Sequence, residues 1–166
     1  MSKTFLNAIC DRIPPPPRGG GNMVELPLDY LRFLSVYGAG YFSTSEFRQL
    51  SIYDLTTLNW GGFHDSIFAL NDLHGVHPRR FPIVFPAEGG LLPWGDWDEG
   101  FILTWRTSVL HPSMWPVVVV GPREDMVETY DFGMTEYLAR SMGIVEGLTI
   151  GGKTFAPNEG IRFYPD

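Results

Sequence analysis

Apolar residues recur at helical spacing in three stretches of the chain and at strand spacing in several more. Over Leu26–Tyr37, the residues Leu28, Leu31 and Leu34 form an i, i+3 row, with Tyr30, Phe33 and Tyr37 as a second row beside it. A face that wide predicts a well-buried helix. Pro27 suits the first helical position, Asp29 falls in the first turn where the helix dipole favours an anion, and Gly38 and Gly40 stop the helix. A second helix is predicted over Ser66–Leu73, with Ile67, Leu70 and Leu73 on one side and Asp65 as cap. A third runs over Met134–Met142 and ends at Gly143.

Between these helices the pattern turns to strands. Ser51–Leu55 reads as a short strand, and Phe81–Phe85 begins a series that continues with Leu91–Trp94, Phe101–Arg106, Val117–Val120 and Met126–Tyr130. Val117–Val120 is uniformly β-branched, as expected of a strand covered on both faces. Leu148–Ile150 and Lys153–Phe155 flank Gly151–Gly152, a hairpin signal, and Ile161–Tyr164 adds a last strand. Connections this short favour antiparallel pairing, because a parallel crossover needs a dozen or more residues. The expected fold is α+β: one antiparallel sheet of about five to six strands flanked by N-terminal and C-terminal helices. Residues 1–22, with the run Pro14–Pro17 followed by Arg18 and Gly19–Gly21, are expected to form a flexible arm, and residues 23–166 the domain.

Composition narrows the functional classes. The chain has 166 residues, enough for one domain with a core that needs neither disulfide nor metal. Its single cysteine, Cys10, points to a reducing compartment. The start lacks the pattern of a signal peptide and no apolar run approaches a membrane span, so a cytoplasmic setting is expected. The net charge of −7 argues against a nucleic-acid partner. That charge is concentrated: Glu88, Asp96, Asp98, Glu99, Glu124, Asp125, Glu128, Asp131 and Glu136 are opposed only by Arg106 and Arg123 between positions 88 and 136. Such a segment is either a solvated face or a surface that steers a basic partner.

Three segments, in order, resemble the SUKH superfamily, the bacterial toxin-immunity proteins related to a fungal regulator of cell-wall synthesis. Leu26-Pro27-Leu28-Asp29-Tyr30-Leu31-Arg32-Phe33-Leu34, followed by Tyr37-Gly38, is similar to the family's opening leucine–proline, helix and glycine element. Leu92-Pro93-Trp94-Gly95-Asp96-Trp97-Asp98-Glu99-Gly100-Phe101, with Trp105, is similar to its central hairpin, and Tyr130-Asp131-Phe132-Gly133-Met134-Thr135-Glu136-Tyr137-Leu138 to its closing helix. The resemblance covers about Leu26 to Met142; Gly61–Arg80 carries no matching motif, and the tail after Gly143 reads as an addition. It implies a SUKH-like fold and a binding role, most often neutralising a toxin that is itself often a nuclease.

No residue pattern argues for catalysis. Asp96, Asp98 and Glu99 could form an acid–base pair or a cation site, but Gly100 stands at position 5 of a would-be calcium loop and Thr107 at position 12. A turn framed by Gly95 and Gly100, or a partner-binding turn, accounts for the cluster better. His74 and His77 lack further ligands for zinc, no Gly-x-Ser-x-Gly elbow occurs, and Gly38-x-Gly40 ends a helix rather than starting one. Trp94 and Trp105 are expected in the core. Trp97, between two acids on a turn, either stands at the surface, where an aromatic anchor can dominate an interface, or folds back over the sheet. The expectation is a non-enzymatic domain without cofactor, metal or catalytic residue. It would occlude a cognate toxin domain through Asp96, Trp97, Asp98, Glu99, Asp125 and Glu128. The alternative is an intracellular scaffold that docks partners through the Pro14–Gly21 arm.

Overall fold

A computed structural model describes residues 2–13, 25–44, 48–57, 61–98, 100–123, 126–145 and 160–166. Helix α1 spans Ser2–Arg12, α2 Leu28–Val36, α3 Gly61–Val76 and α4 Met134–Ser141. The strands are β1 Gly40–Ser43, β2 Gln49–Ile52, β3 Leu91–Trp97, β4 Phe101–Arg106, β5 Val117–Val120, β6 Val127–Tyr130 and β7 Arg162–Pro165. They form one sheet in the order β6-β5-β4-β3-β2-β1-β7, with every neighbouring pair antiparallel. The α+β class with a single antiparallel sheet is therefore as expected, with seven strands among the described residues instead of five or six.

The sheet separates two apolar layers. On one side α1, α2 and α4 pack over Phe42, Leu50, Leu92, Leu103, Trp105, Val117 and Val119. On the other, Leu70 of α3 and the chain around Phe81 and Val84 cover Leu91, Ile102, Val118 and Val120. Strand β5 is thus buried on both faces, the physical meaning of its unbroken β-branched run. In α2 the aromatic row prevails: Tyr30, Phe33 and Tyr37 are fully enclosed, while Leu28 is exposed. Pro27 is the N-cap residue instead of the first helical one, its carbonyl accepting from Leu31 N–H.

Several expectations are corrected. The supposed arm begins with α1, whose Leu6, Ile9 and Ile13 belong to the core; Tyr37 O–H donates to the Ile13 carbonyl and ties the end of α1 to α2. Pro14–Gly21 lies outside the described residues, as does the hairpin around Gly151–Gly152. Phe81–Phe85 is not a strand: Pro82 interrupts it, and Val84 makes only an isolated bridge to Leu91. The helix over Ser66–Leu73 is longer, covering Gly61–Val76. Strand β1, immediately after the glycines that end α2, has no counterpart in the periodicity reading.

One buried carboxylate joins two helices of the core layer, α2 and α4. Gly133, the N-cap residue of α4, has no side chain to cap the helix. Asp29 of α2 does so from 106 residues away, its Oδ2 accepting from Thr135 N–H at 3.0 Å and from Thr135 Oγ1 at 3.3 Å. Its Oδ1 accepts from Tyr30 N–H at 2.9 Å. A Cβ at position 133 would lie 2.5 Å from Asp29 Oδ2, so any side chain there would displace the capping carboxylate. Burial pushes the Asp29 carboxyl above its ordinary 3.8, outweighing the donors from Thr135 and Tyr30 that pull it down.

Replacing Asp29 with Ala orphans these donors and should lower stability by about 1–3 kcal/mol, read from urea unfolding. The folded chain holds the Asp29 proton more tightly than the unfolded chain. Its contribution is therefore fully present below pH 3.8 and declines as pH rises through the raised folded midpoint. The unfolding midpoint of the native chain should fall across that window relative to Asp29→Asn; a pH-independent gap between the two would contradict this.

Candidate functional site

The acidic hairpin β3–β4 carries most of the residues singled out from the sequence, and an irregularity in β3 decides where they point. The register runs Leu92↔Trp105, Pro93↔Thr104, then Gly95↔Leu103, Asp96↔Ile102 and Trp97↔Phe101. Trp94 is the extra residue of a β-bulge, and it enters the core beside Leu92. Unbroken alternation would set Asp96 on the same face as Leu92 and Trp94, under the helices, and Trp97 on the opposite face. The bulge reverses both. Gly95 allows it to form against β2: a Cβ there would stand 2.3 Å from the Ser51 carbonyl oxygen.

Trp97 is consequently not a surface anchor. It is 4% exposed and packs in the core layer, its ring 5.2 Å from that of Phe101. Asp96 faces the α3 side, opposite Ile102 on β4 and Ser51 on β2. Asp98 closes the end of β2: its Oδ2 accepts from Gln49 N–H at 2.6 Å, while its own N–H donates to the Gln49 carbonyl at 2.9 Å. Glu128 lies on edge strand β6, opposite Val119, and so faces the helix layer on the other side of the sheet from Asp96. Tyr130 O–H donates to its carboxylate, and burial followed by this bond pushes the Tyr130 hydroxyl pKa up. Three inter-strand spacings, about 14 Å, separate the strands of Asp96 and Glu128. Glu99 and Asp125 lie outside the described residues. The six residues therefore do not form one surface: Asp96 and Asp98 stay together, Glu128 points away, and Trp97 is internal.

The strand register reveals which residues accompany Asp96. Directly opposed residues of antiparallel strands project to one face. Tyr164 of β7, Tyr41 of β1, Ser51 of β2 and Asp96 of β3 thus form one row. Tyr41 and Tyr164 stack with centroids 5.2 Å apart and planes 20° apart, and Tyr164 is 41% exposed. Arg162, Ser43 and Gln49 flank the row on the same face, the first and last exposed. Leu70 of α3 packs over β3, β4 and β5, while over β7, β1 and β2 this face carries a partly exposed aromatic and polar surface. Periodicity could not find it, because β1 went unseen and with it the pairing of Tyr41 and Tyr164.

Behind Asp96 the polar groups satisfy one another. Tyr53 Oη and Ser66 Oγ are 2.8 Å apart, and Tyr53 is pushed up first by burial and then by the negative charge of Asp96. The Tyr53–Ser66 contact links α3 to the residue that follows β2. Among the described residues no group of three His, Cys, Asp or Glu stands where it could hold a metal ion, and no helix is long and apolar enough to cross a membrane.

Gly95→Ala should strain the β2–β3 contact and lower the thermal midpoint. Trp97→Ala should remove a buried side chain and lower stability by about 3–5 kcal/mol. A Trp97→Ala chain of unchanged stability would contradict the inward orientation set by the bulge.

Comparison of the chain with protein-family models, with curated proteins and with solved structures finds no match.

Proposed function

We propose that the chain is a non-enzymatic binding domain of the immunity type, working in the cytoplasm. Its partner is a toxin domain with a basic, phosphate-binding site. The docking surface is the half-face formed by Tyr164, Tyr41, Ser51 and Asp96, with Asp98 at its margin. The observation that carries this reading is the partly exposed Tyr41–Tyr164 stack in one row with Asp96. Stacked tyrosines offer rigid area and π-faces on which a guanidinium or ammonium can sit, and an adjacent carboxylate supplies the opposite charge. The overall charge of −7 raises the rate of encounter with a basic partner. The three SUKH-like segments support a toxin as the partner class.

Binding to a toxin co-encoded with this chain, measured by calorimetry and by rescue of cells expressing it, tests the reading. Tyr164→Ala combined with Asp96→Asn should weaken binding at least tenfold (about 1.4 kcal/mol) with the fold intact, and the association rate should fall as salt rises. Undiminished affinity in that double variant, alongside loss of affinity in Glu128→Gln, would move the interface to the opposite face and sink the proposal.

A further inference from the structure

Among the described residues, the core layer contains three buried side-chain polar atoms without a hydrogen-bond partner: Trp94 Nε1, Trp105 Nε1 and Tyr137 Oη. They belong to one contiguous group: the Trp94 ring centroid is 5.7 Å from that of Trp105 and 5.9 Å from that of Tyr137. All three residues are completely enclosed between the central strands and α4. Buried polar groups in folded proteins nearly always find a partner, in the protein or in ordered water.

Donor and acceptor capacities restrict what can serve. Each indole N–H donates and cannot accept, so the two tryptophans cannot satisfy one another. The shared partner must offer at least two lone pairs. A cation is excluded because it would face two more donors. An anion is opposed by burial and by the Glu128 carboxylate, which already helps to hold the Tyr137 hydroxyl in its protonated form. Neutral water fits where an ion does not: its lone pairs accept from the indole N–H groups and from the Tyr137 O–H, and its protons can be donated to Tyr137 Oη.

We infer that Trp94, Trp105 and Tyr137 form an internal hydration site holding one or two ordered water molecules between the sheet and α4. The ring centroids lie 5.7 and 5.9 Å apart, so the three unsatisfied groups belong to neighbouring side chains. Buried waters of this kind occur roughly once per 27 residues, each with about three hydrogen bonds. The site is independent of the proposed docking surface, which lies on the other face of the sheet.

The test uses the full chain with 15N-labelled indoles and water-selective NMR, the signals assigned through Trp94→Phe and Trp105→Phe. The Nε1 protons of Trp94 and Trp105 should show direct cross-relaxation with long-lived water. Absence of water contact at both, with the protons shifted upfield by a neighbouring ring, would mean that aromatic faces take the N–H groups, and would overturn the site. Tyr137→Phe gives a second reading. Removing a water-bonded hydroxyl should lower the thermal midpoint by a few degrees, whereas removing an orphaned one would raise it and count against the site. If that variant fails to fold, the spectra of the native chain decide alone.

Discussion

One additional residue in a seven-residue strand determines the chemical character of both faces of this domain. Side chains on a strand alternate with a period of two, so a bulge at Trp94 exchanges inside for outside over the rest of β3. Without it, Asp96 would be driven into an aromatic core and Trp97 away from it. With it, Trp97 joins Leu92 and Trp94 in the helix-covered layer and the Asp96 carboxylate faces the α3 side. The enclosing contacts follow: Trp94 reaches Trp105 and Tyr137, and Tyr30 meets Trp105 edge-on at 5.1 Å. Asp29 then fixes α2 and α4 over those rings by capping a helix whose own cap residue is glycine. The aromatic layer and the helix cap thus reinforce one another.

Much of this architecture was legible in the residues and some was not, for identifiable reasons. Val117–Val120, Phe101–Arg106 and Met134–Met142 were readable because each is long or uniform enough for its period to stand out. The seating of α2 was half readable: two apolar rows were evident, but only packing selects the larger aromatic row. Helix α1 carried a weak signal in Leu6, Ile9 and Ile13, spaced three and four apart, that the proline run behind it obscured. The inward turn of Trp97 was invisible to any reading based on alternation, since a bulge breaks alternation. Its one trace was Gly95 in mid-strand, a residue that weakens a strand unless a backbone must come close.

The acidic middle third illustrates how charge counted along a chain differs from charge arranged in space. Glu136 is neutralised within α4 by Arg140 at 2.8 Å. Glu128 is engaged by Tyr130 on an edge strand, where a half-buried carboxylate also discourages pairing with a foreign strand. Asp98 is occupied with the backbone of β2. Among the described carboxylates singled out from the sequence, Asp96 alone lies in the row of the stacked tyrosines. The surface is therefore better described as an aromatic platform with a charged margin than as an acidic face.

The order of strands has a bearing on how the chain is made. Strand β1 pairs with β2 on one side and with β7 on the other, and Phe163 of β7 contributes to the ring cluster of Phe33, Tyr37 and Phe42. During synthesis β1 is made more than a hundred residues before its second neighbour. Through that interval its outer backbone groups are free to capture any extended segment nearby, and the aromatic cluster lacks one of its rings. The nascent domain is therefore open to misassembly on its β1 flank until β7 has left the ribosome.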